Sequence, residues 1–265
     1  MKCFRILGLM LCILVFACQA HAKDCFIVSD NNGIIHEQGE CDKRYPPCST
    51  FKIAISLMGF DSGILVDETH PSWDFKPGYV DWLERWKQTH NPKLCLANSC
   101  VWYSQIITNK LAMKQFAEYT KRLNYGNHDL SGDKGMNNGL TNSWLSSSLA
   151  ISPKEQIDFI NRLVENKLPV SIDAQEKTKN IMYLETLPNG WKLHGKTGNG
   201  SQLDDEGRKM ADRQVGWFVG FVKKDKKVIT FSYLIVDEDK QPDYASLRAK
   251  AALKKGIIAI LADLN

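Results

Sequence analysis

Ser49 and Lys52 lie three residues apart in Pro46-Pro47-Cys48-Ser49-Thr50-Phe51-Lys52, just ahead of an apolar stretch from Ile53 to Phe60. The prolines favour an extended approach, which puts Ser49 where a helix would begin. An i, i+3 spacing then stacks the hydroxyl and the amine on one helical face. A serine hydroxyl needs a base to become a nucleophile. A desolvated lysine can be that base, because burial disfavours the ammonium and lowers its pKa. The helix N-terminus also offers an N–H to a developing oxyanion. The chemistry that fits is nucleophilic catalysis by serine.

The spacing alone is not specific. Serine and lysine are common, and Ser131-Gly132-Asp133-Lys134 repeats the pattern in a glycine-rich stretch without periodicity. An N-cap followed by a solvated lysine would look the same. A literal phosphate-loop pattern also runs from Gly190 to Gly195-Lys196-Thr197. Its intervening residues are bulky and alternate like a strand, and Gly198-Asn199-Gly200 follows where that loop needs a helix to start. Nucleotide binding is therefore rejected. The cysteines show no C-x-x-C spacing and the histidines no H-x-x-x-H pair, so no metal site is expected.

The elements that must position these residues fall into three regions. Cys25–Val28 and Ile34–His36 are β-rich and flank Ser29-Asp30-Asn31-Asn32-Gly33, which has hairpin-turn chemistry. From about Thr50 to Glu185 the chain reads as helices and loops. Ser152-Pro153-Lys154-Glu155 is a capping box, followed by Ile157, Ile160, Leu163 and Val164 at helical spacing. Met113–Leu123 carries a weaker helical pattern, and 124–142 reads as loop. From Gly190 onward, Trp191–Thr197 alternates with period two, and Gly216–Val222 and Val228–Val236 are aromatic and β-branched. A helix over about 244–264 closes the chain on a stripe of Leu253, Ile257, Ile260 and Leu264. The fold class is α+β: a central antiparallel sheet from both chain ends, flanked by helices, with an all-helical middle.

The first 22 of the 265 residues read as a secretory signal peptide. Lys2 and Arg5 precede an apolar run from Ile6 to Cys18, and Ala20-His21-Ala22 is an A-x-A cleavage site. A lipid anchor on Cys18 is the less favoured alternative, and the run is too short to span a bilayer. Residues 23–265 are expected to form one domain, periplasmic or secreted. The formal net charge of +4 falls to +2 without the leader, leaving no basic stripe for nucleic acid. Cys25, Cys41, Cys48, Cys95 and Cys100 remain, an odd number. Cys25–Cys41 is a plausible local bridge, although sequence does not assign connectivity.

Several short motifs follow Ser49 in order: Ser99-Cys100-Val101, Tyr125-Gly126-Asn127, Trp144 ahead of the Ile151-Ser152-Pro153 helix start, and Lys196-Thr197-Gly198 on an expected strand. Together with Ser49-Thr50-Phe51-Lys52 they resemble the class D, oxacillinase-type β-lactamases of the penicilloyl-serine transferase superfamily, over essentially the whole chain after the leader. Asparagine is usual at the third place of the middle motif in penicillin-binding proteins and class A enzymes; this chain has Val101. Ser29-Asp30-Asn31 spells that motif but precedes the nucleophile and sits in a turn.

The resemblance implies hydrolysis of a small-molecule β-lactam through an acyl-enzyme on Ser49. Lys52 would capture CO2 in an apolar pocket that includes Val101, and the carbamate, steadied by the Trp144 indole, would be the general base. No other cofactor is implied. The main-chain N–H groups of Ser49 and Asn199 would form the oxyanion hole, and Ser99 would pass a proton to the leaving nitrogen. Lys196, Thr197 and Gly198, with Arg248 of Ser246-Leu247-Arg248, would hold the substrate carboxylate. Tyr125-Gly126-Asn127 is taken as architectural. The alternatives are a penicillin sensor, which acylates without turnover, or a D,D-peptidase. Neither the oligomeric state nor the spectrum of β-lactams is legible in the sequence.

Overall fold

The computed structural model describes residues 23–263. The expected leader and Leu264 lie outside the described residues. Six antiparallel strands form one sheet in the order β2-β1-β6-β5-β4-β3. β1 (Cys25–Asp30) turns through Asn31-Asn32 into β2 (Gly33–Gly39), with Asp30 paired to Gly33. The Asn32 N–H donates to the Asp30 carboxylate at 2.7 Å, the side-chain-to-backbone bond that makes Asp a turn former. On its other side β1 pairs with β6 (Lys227–Val236), so both chain ends share the sheet as expected. β5 (Lys209–Lys224) and β4 (Lys192–Leu203) continue it.

Two cores cover the two faces. On one, Val28, Leu193, Phe218, Val222 and Phe231 pack against the closing helix α7 (Ala245–Asp263). The buried stripe of α7 runs Ala245, Ala249, Leu253, Ile257 and Leu261, with Ile260 only partly covered. On the other face Ile27, Trp217, Val219, Phe221 and Leu234 join the core of the helical region. Coverage of both faces ends the period-two pattern expected for 191–197: Leu193, His194, Gly195 and Lys196 are all buried.

The helical region holds α1 (Lys52–Asp61), α2 (Pro92–Asn98), α3 (Val101–Arg122), a single turn α4 (Gly139–Asn142), α5 (Pro153–Val164) and α6 (Ile172–Ile181). α1 is buried all round from Lys52 to Phe60, so its first residue has no solvated face to turn to. α3 breaks at Ala112 (φ 58°), and its second half is the stretch whose pattern the sequence shows from Met113. Both bonds of the capping box form at α5: Glu155 N donates to Ser152 Oγ and Ser152 N donates to Glu155 Oε2.

β3 (Tyr183–Thr186) has no counterpart in the sequence pattern, which places 183–185 in the helical region. It is a short, mostly exposed strand that pairs with β4 only up to His194. From Lys196 onward the edge of β4 away from β5 has no strand beside it among the described residues. That open edge faces the residues around Ser49. The disulfide Cys25–Cys41 is present, with Cα atoms 5.2 Å apart, while Cys48, Cys95 and Cys100 are buried free thiols. Among the described residues no helix is long and apolar enough to cross a membrane.

Candidate active site

The turn that carries Ser49 is a single 3-10 turn, Cys48–Phe51, that runs directly into α1. Thr50 fastens it: its N–H and its Oγ1 both donate to Pro47 O, at 3.1 and 2.7 Å. The Trp217 indole reaches over from β5 to donate to Pro46 O at 2.9 Å, so the proline approach is held by the sheet. Ser49 is left partly open to solvent, and Lys52 Nζ lies 3.0 Å from its Oγ. Only 1 % of Lys52 is exposed. That burial pushes its amine down to about 8, against a weaker opposing effect of the Cys95, Cys100 and Cys48 thiols.

A second serine–lysine pair meets the first from far along the chain. Ser99 ends α2 in the left-handed conformation (φ 60°, ψ 33°), which turns its hydroxyl away from the helix. Lys196 Nζ donates to Ser99 Oγ at 2.9 Å and to Thr197 O at 2.8 Å. Burial holds Lys196 well below the usual lysine range, and the nearby charge of Lys52 adds to the effect. β4 reaches this place because Gly198 has no side chain. A Cβ there would stand 2.7 Å from Pro47 O and 3.1 Å from Thr50 N.

Val101 begins α3 and is 2 % exposed in the same core. Trp144 is fully buried, with its ring centroid 6.0 Å from Phe51 and 6.3 Å from Phe116. Its Nε1–H is buried and has no hydrogen-bond partner. An unmet buried donor costs roughly 1–3 kcal/mol and therefore marks a place where an acceptor would be favoured.

A family model, the penicillin-binding protein transpeptidase domain, matches residues 28–259. The chain is 43% identical over 220 residues to the β-lactamase OXA-9 of Klebsiella pneumoniae, covering 82% of this chain and 80% of that protein. It is 40% identical over 249 residues to the β-lactamase OXA-1 of Escherichia coli, covering 92% and 85%. The crystal structure of the class D β-lactamase OXA-427 superposes with a TM-score of 0.87 at 42% identity, covering 91% of this chain and all of that one. The chain belongs to the class D β-lactamases.

Within this class D β-lactamase the Tyr125-Gly126-Asn127 box acquires a physical role. Tyr125 packs its ring on Phe51 (4.8 Å) and edge-on to Phe159 (5.1 Å). Asn127 pins the loop after Trp144: its N–H donates to Ala150 O, its Oδ1 accepts from Ala150 N, and its Nδ2 donates to Ser148 O. Between them Gly126 sits at φ 58°, with its would-be Cβ 2.1 Å from Ala150 O. Gly126→Ala is expected to cost roughly 2–4 kcal/mol, combining the left-handed penalty with a backbone clash, and to lower Tm by about 5–15 °C in a thermal melt.

Arg248 Nη2 lies 2.5 Å from the Asp237 carboxylate, which is itself only 5 % exposed, while the buried Arg248 Nε has no hydrogen-bond partner. Two residues further along α7, Lys250 lines a cavity with Lys196, Thr197, Tyr183 and Leu184 and lies over the Phe218 ring.

The remaining thiols are placed but chemically quiet. Burial pushes Cys48 and Cys95 up to about 11 and Cys100 up to about 12, so all three stay protonated near neutrality. Cys95 joins Cys48 and Cys100 beside Lys52, which nothing in its sequence context signals. Ser146 is a further contributor without a motif: its Oγ accepts from Ser201 N at 2.8 Å, tying the Trp144 loop to β4. The repeat motif Ser131…Lys134 is on the surface, with both residues exposed.

Proposed function

We propose that this β-lactamase works through an acyl-enzyme on Ser49, with Lys52 carboxylated by CO2 as the general base. The observation that carries the reading is the 3.0 Å contact between Ser49 Oγ and an amine that is 1 % exposed and pushed down to about 8. A neutral amine is the form that reacts with CO2. Two buried residues support the carbamate reading: Val101 would be an apolar wall, and Trp144, whose ring lies 6.0 Å from that of Phe51, would offer its unpartnered Nε1–H as donor. Once formed, that carbamate supplies a carboxylate-like base for the proton of Ser49 and later for that of the hydrolytic water.

The chain's own residues supply the rest. Ser49 Oγ attacks the lactam carbonyl, while the main-chain N–H groups of Ser49 and Asn199 stabilise the oxyanion. Ser99 Oγ, oriented by Lys196 Nζ, relays to the departing nitrogen the proton that left Ser49, gaining one as it gives one up. Water then cleaves the ester and Ser49 recovers its proton. Lys196 and Thr197 hold the substrate carboxylate, with Lys250 as a further cation lining the same cavity.

Lys250→Ala is expected to raise KM for a penicillin about 5- to 10-fold with little change in kcat. Arg248→Ala should instead lower Tm by several degrees, because it strands the buried Asp237 carboxylate. Steady-state kinetics and a melt on both variants separate the two residues. Export by a cleaved leader into the periplasm or beyond is part of the same proposal, and the Cys25–Cys41 bridge supports it.

The test is a chromogenic cephalosporin assay. Purified protein should hydrolyse it over many turnovers, and bicarbonate should restore activity lost on degassing at mildly acidic pH. A single stoichiometric burst without a steady state would indicate a sensor or a D,D-peptidase.

A further inference from the structure

The Asn199 side chain is committed to a closed hydrogen-bonded ring outside the catalytic cleft. Its Nδ2 donates to Gln214 Oε1 at 3.1 Å, and its Oδ1 accepts from Ser246 N at 3.0 Å. Gln214 Oε1 also accepts from Ala245 N at 3.1 Å, and its Nε2 donates to Asp243 O at 3.2 Å. The Gln214 main-chain carbonyl accepts from Asp237 N at 3.0 Å. One half-buried glutamine thus joins β4, the 237–244 loop and the first turn of α7. The two carboxamides also satisfy the first N–H groups of α7, which no residue within the helix can reach.

We infer that Gln214 is a positioning residue for the oxyanion hole. It holds Asn199 from behind, so that the Asn199 main-chain N–H keeps its aim at the carbonyl oxygen bonded to Ser49. Asn199 is paired with Gly216 in the sheet, two residues from Gln214, and its neighbour Gly198 is pressed on the nucleophile turn. A peptide fixed on both sides in this way has little freedom to rotate, which is what a preorganised donor requires. The inference rests on the reading of Asn199 as an oxyanion donor.

The test compares Gln214→Met, which keeps the bulk and removes the polar atoms, with Gln214→Glu, which still accepts from Asn199 Nδ2 and Ala245 N. A negative charge is also well placed at the start of α7. Gln214→Met should lower kcat about 10-fold with KM within about twofold, less than the 10²–10³ of deleting an oxyanion donor outright. Its affinity for phenylboronic acid, whose serine adduct places an oxygen in the hole, should fall in the same proportion, while Gln214→Glu stays within about threefold of the parent on both measures. The inference is overturned if Gln214→Met keeps kcat and boronate affinity within about twofold, if the loss falls on KM alone, or if Gln214→Glu falls as far as Gln214→Met. Should Gln214→Met not fold, Asn199→Ala, which keeps the main-chain N–H and cuts the ring, carries the same expected and overturning results. Mass spectrometry of the parent with a penicillin keeps the two readings apart: no Ser49 adduct defeats the acyl-enzyme proposal, whereas an adduct with an indifferent Gln214→Met defeats only this one.

Discussion

Lys52→Ala should reduce β-lactam turnover by a factor of about 10³ or more, the scale of losing a general base that serves two steps. The amine is 1 % exposed and 3.0 Å from Ser49 Oγ, and among the titratable groups near Lys52 the buried thiols are protonated near neutrality and cannot replace it. The pH dependence has a definite sign. Burial places the lysine at about 8, so the neutral form predominates above that value and is lost as pH falls through it. At pH 7 only about a tenth of the amine is neutral by ordinary titration. In degassed buffer, initial rates should therefore fall from pH 8 to pH 6, and bicarbonate should recover them in the parent but not in Lys52→Ala. A variant that keeps more than about one hundredth of the parent rate, or a parent indifferent to bicarbonate, would sink the carbamate proposal.

Trp144→Phe separates packing from the chemistry proposed for Trp144. Phenylalanine retains an aromatic ring against Phe51 and Phe116 but deletes an N–H that is buried without a partner. Removing an unsatisfied donor relieves a desolvation cost that partly offsets the lost indole volume, so Tm should change by no more than about 5 °C. Turnover should nevertheless fall about 10- to 100-fold, and the bicarbonate concentration giving half-maximal rate should rise. Labelled bicarbonate followed by NMR reads the carbamate directly, with a signal present in the parent and diminished in Trp144→Phe. A variant that loses stability while keeping its bicarbonate response would make Trp144 a packing residue only.

What the sequence discloses about this site is what lies close together along the chain. Ser49 and Lys52 are three apart, and Lys196-Thr197-Gly198 form one run, so spacing and order suffice to find them. The β1–β2 turn and the α5 capping box are legible for the same reason, because their hydrogen bonds join residues within a few positions. Lys250, Trp217, Ser146, Cys95 and Gln214 act across long separations. Trp217 meets Pro46 over 171 positions and Ser146 meets Ser201 over 55. β3 escapes notice because a four-residue, exposed edge strand carries no apolar pattern.

The bond from Trp217 to Pro46 also ties the Ser49 turn to a late part of the chain. The Ser49 turn lies early in the chain, yet its brace arrives on β5, and β1 must wait for β6 to gain its inner neighbour. Loop-closure entropy makes such distant pairings slow to form. A nascent chain halted before β5 would carry Ser49 and Lys52 in sequence with neither the indole nor the Lys196–Ser99 pair fully seated. Assembly of the surroundings of Ser49 and Lys52 is thereby coupled to completion of the whole sheet.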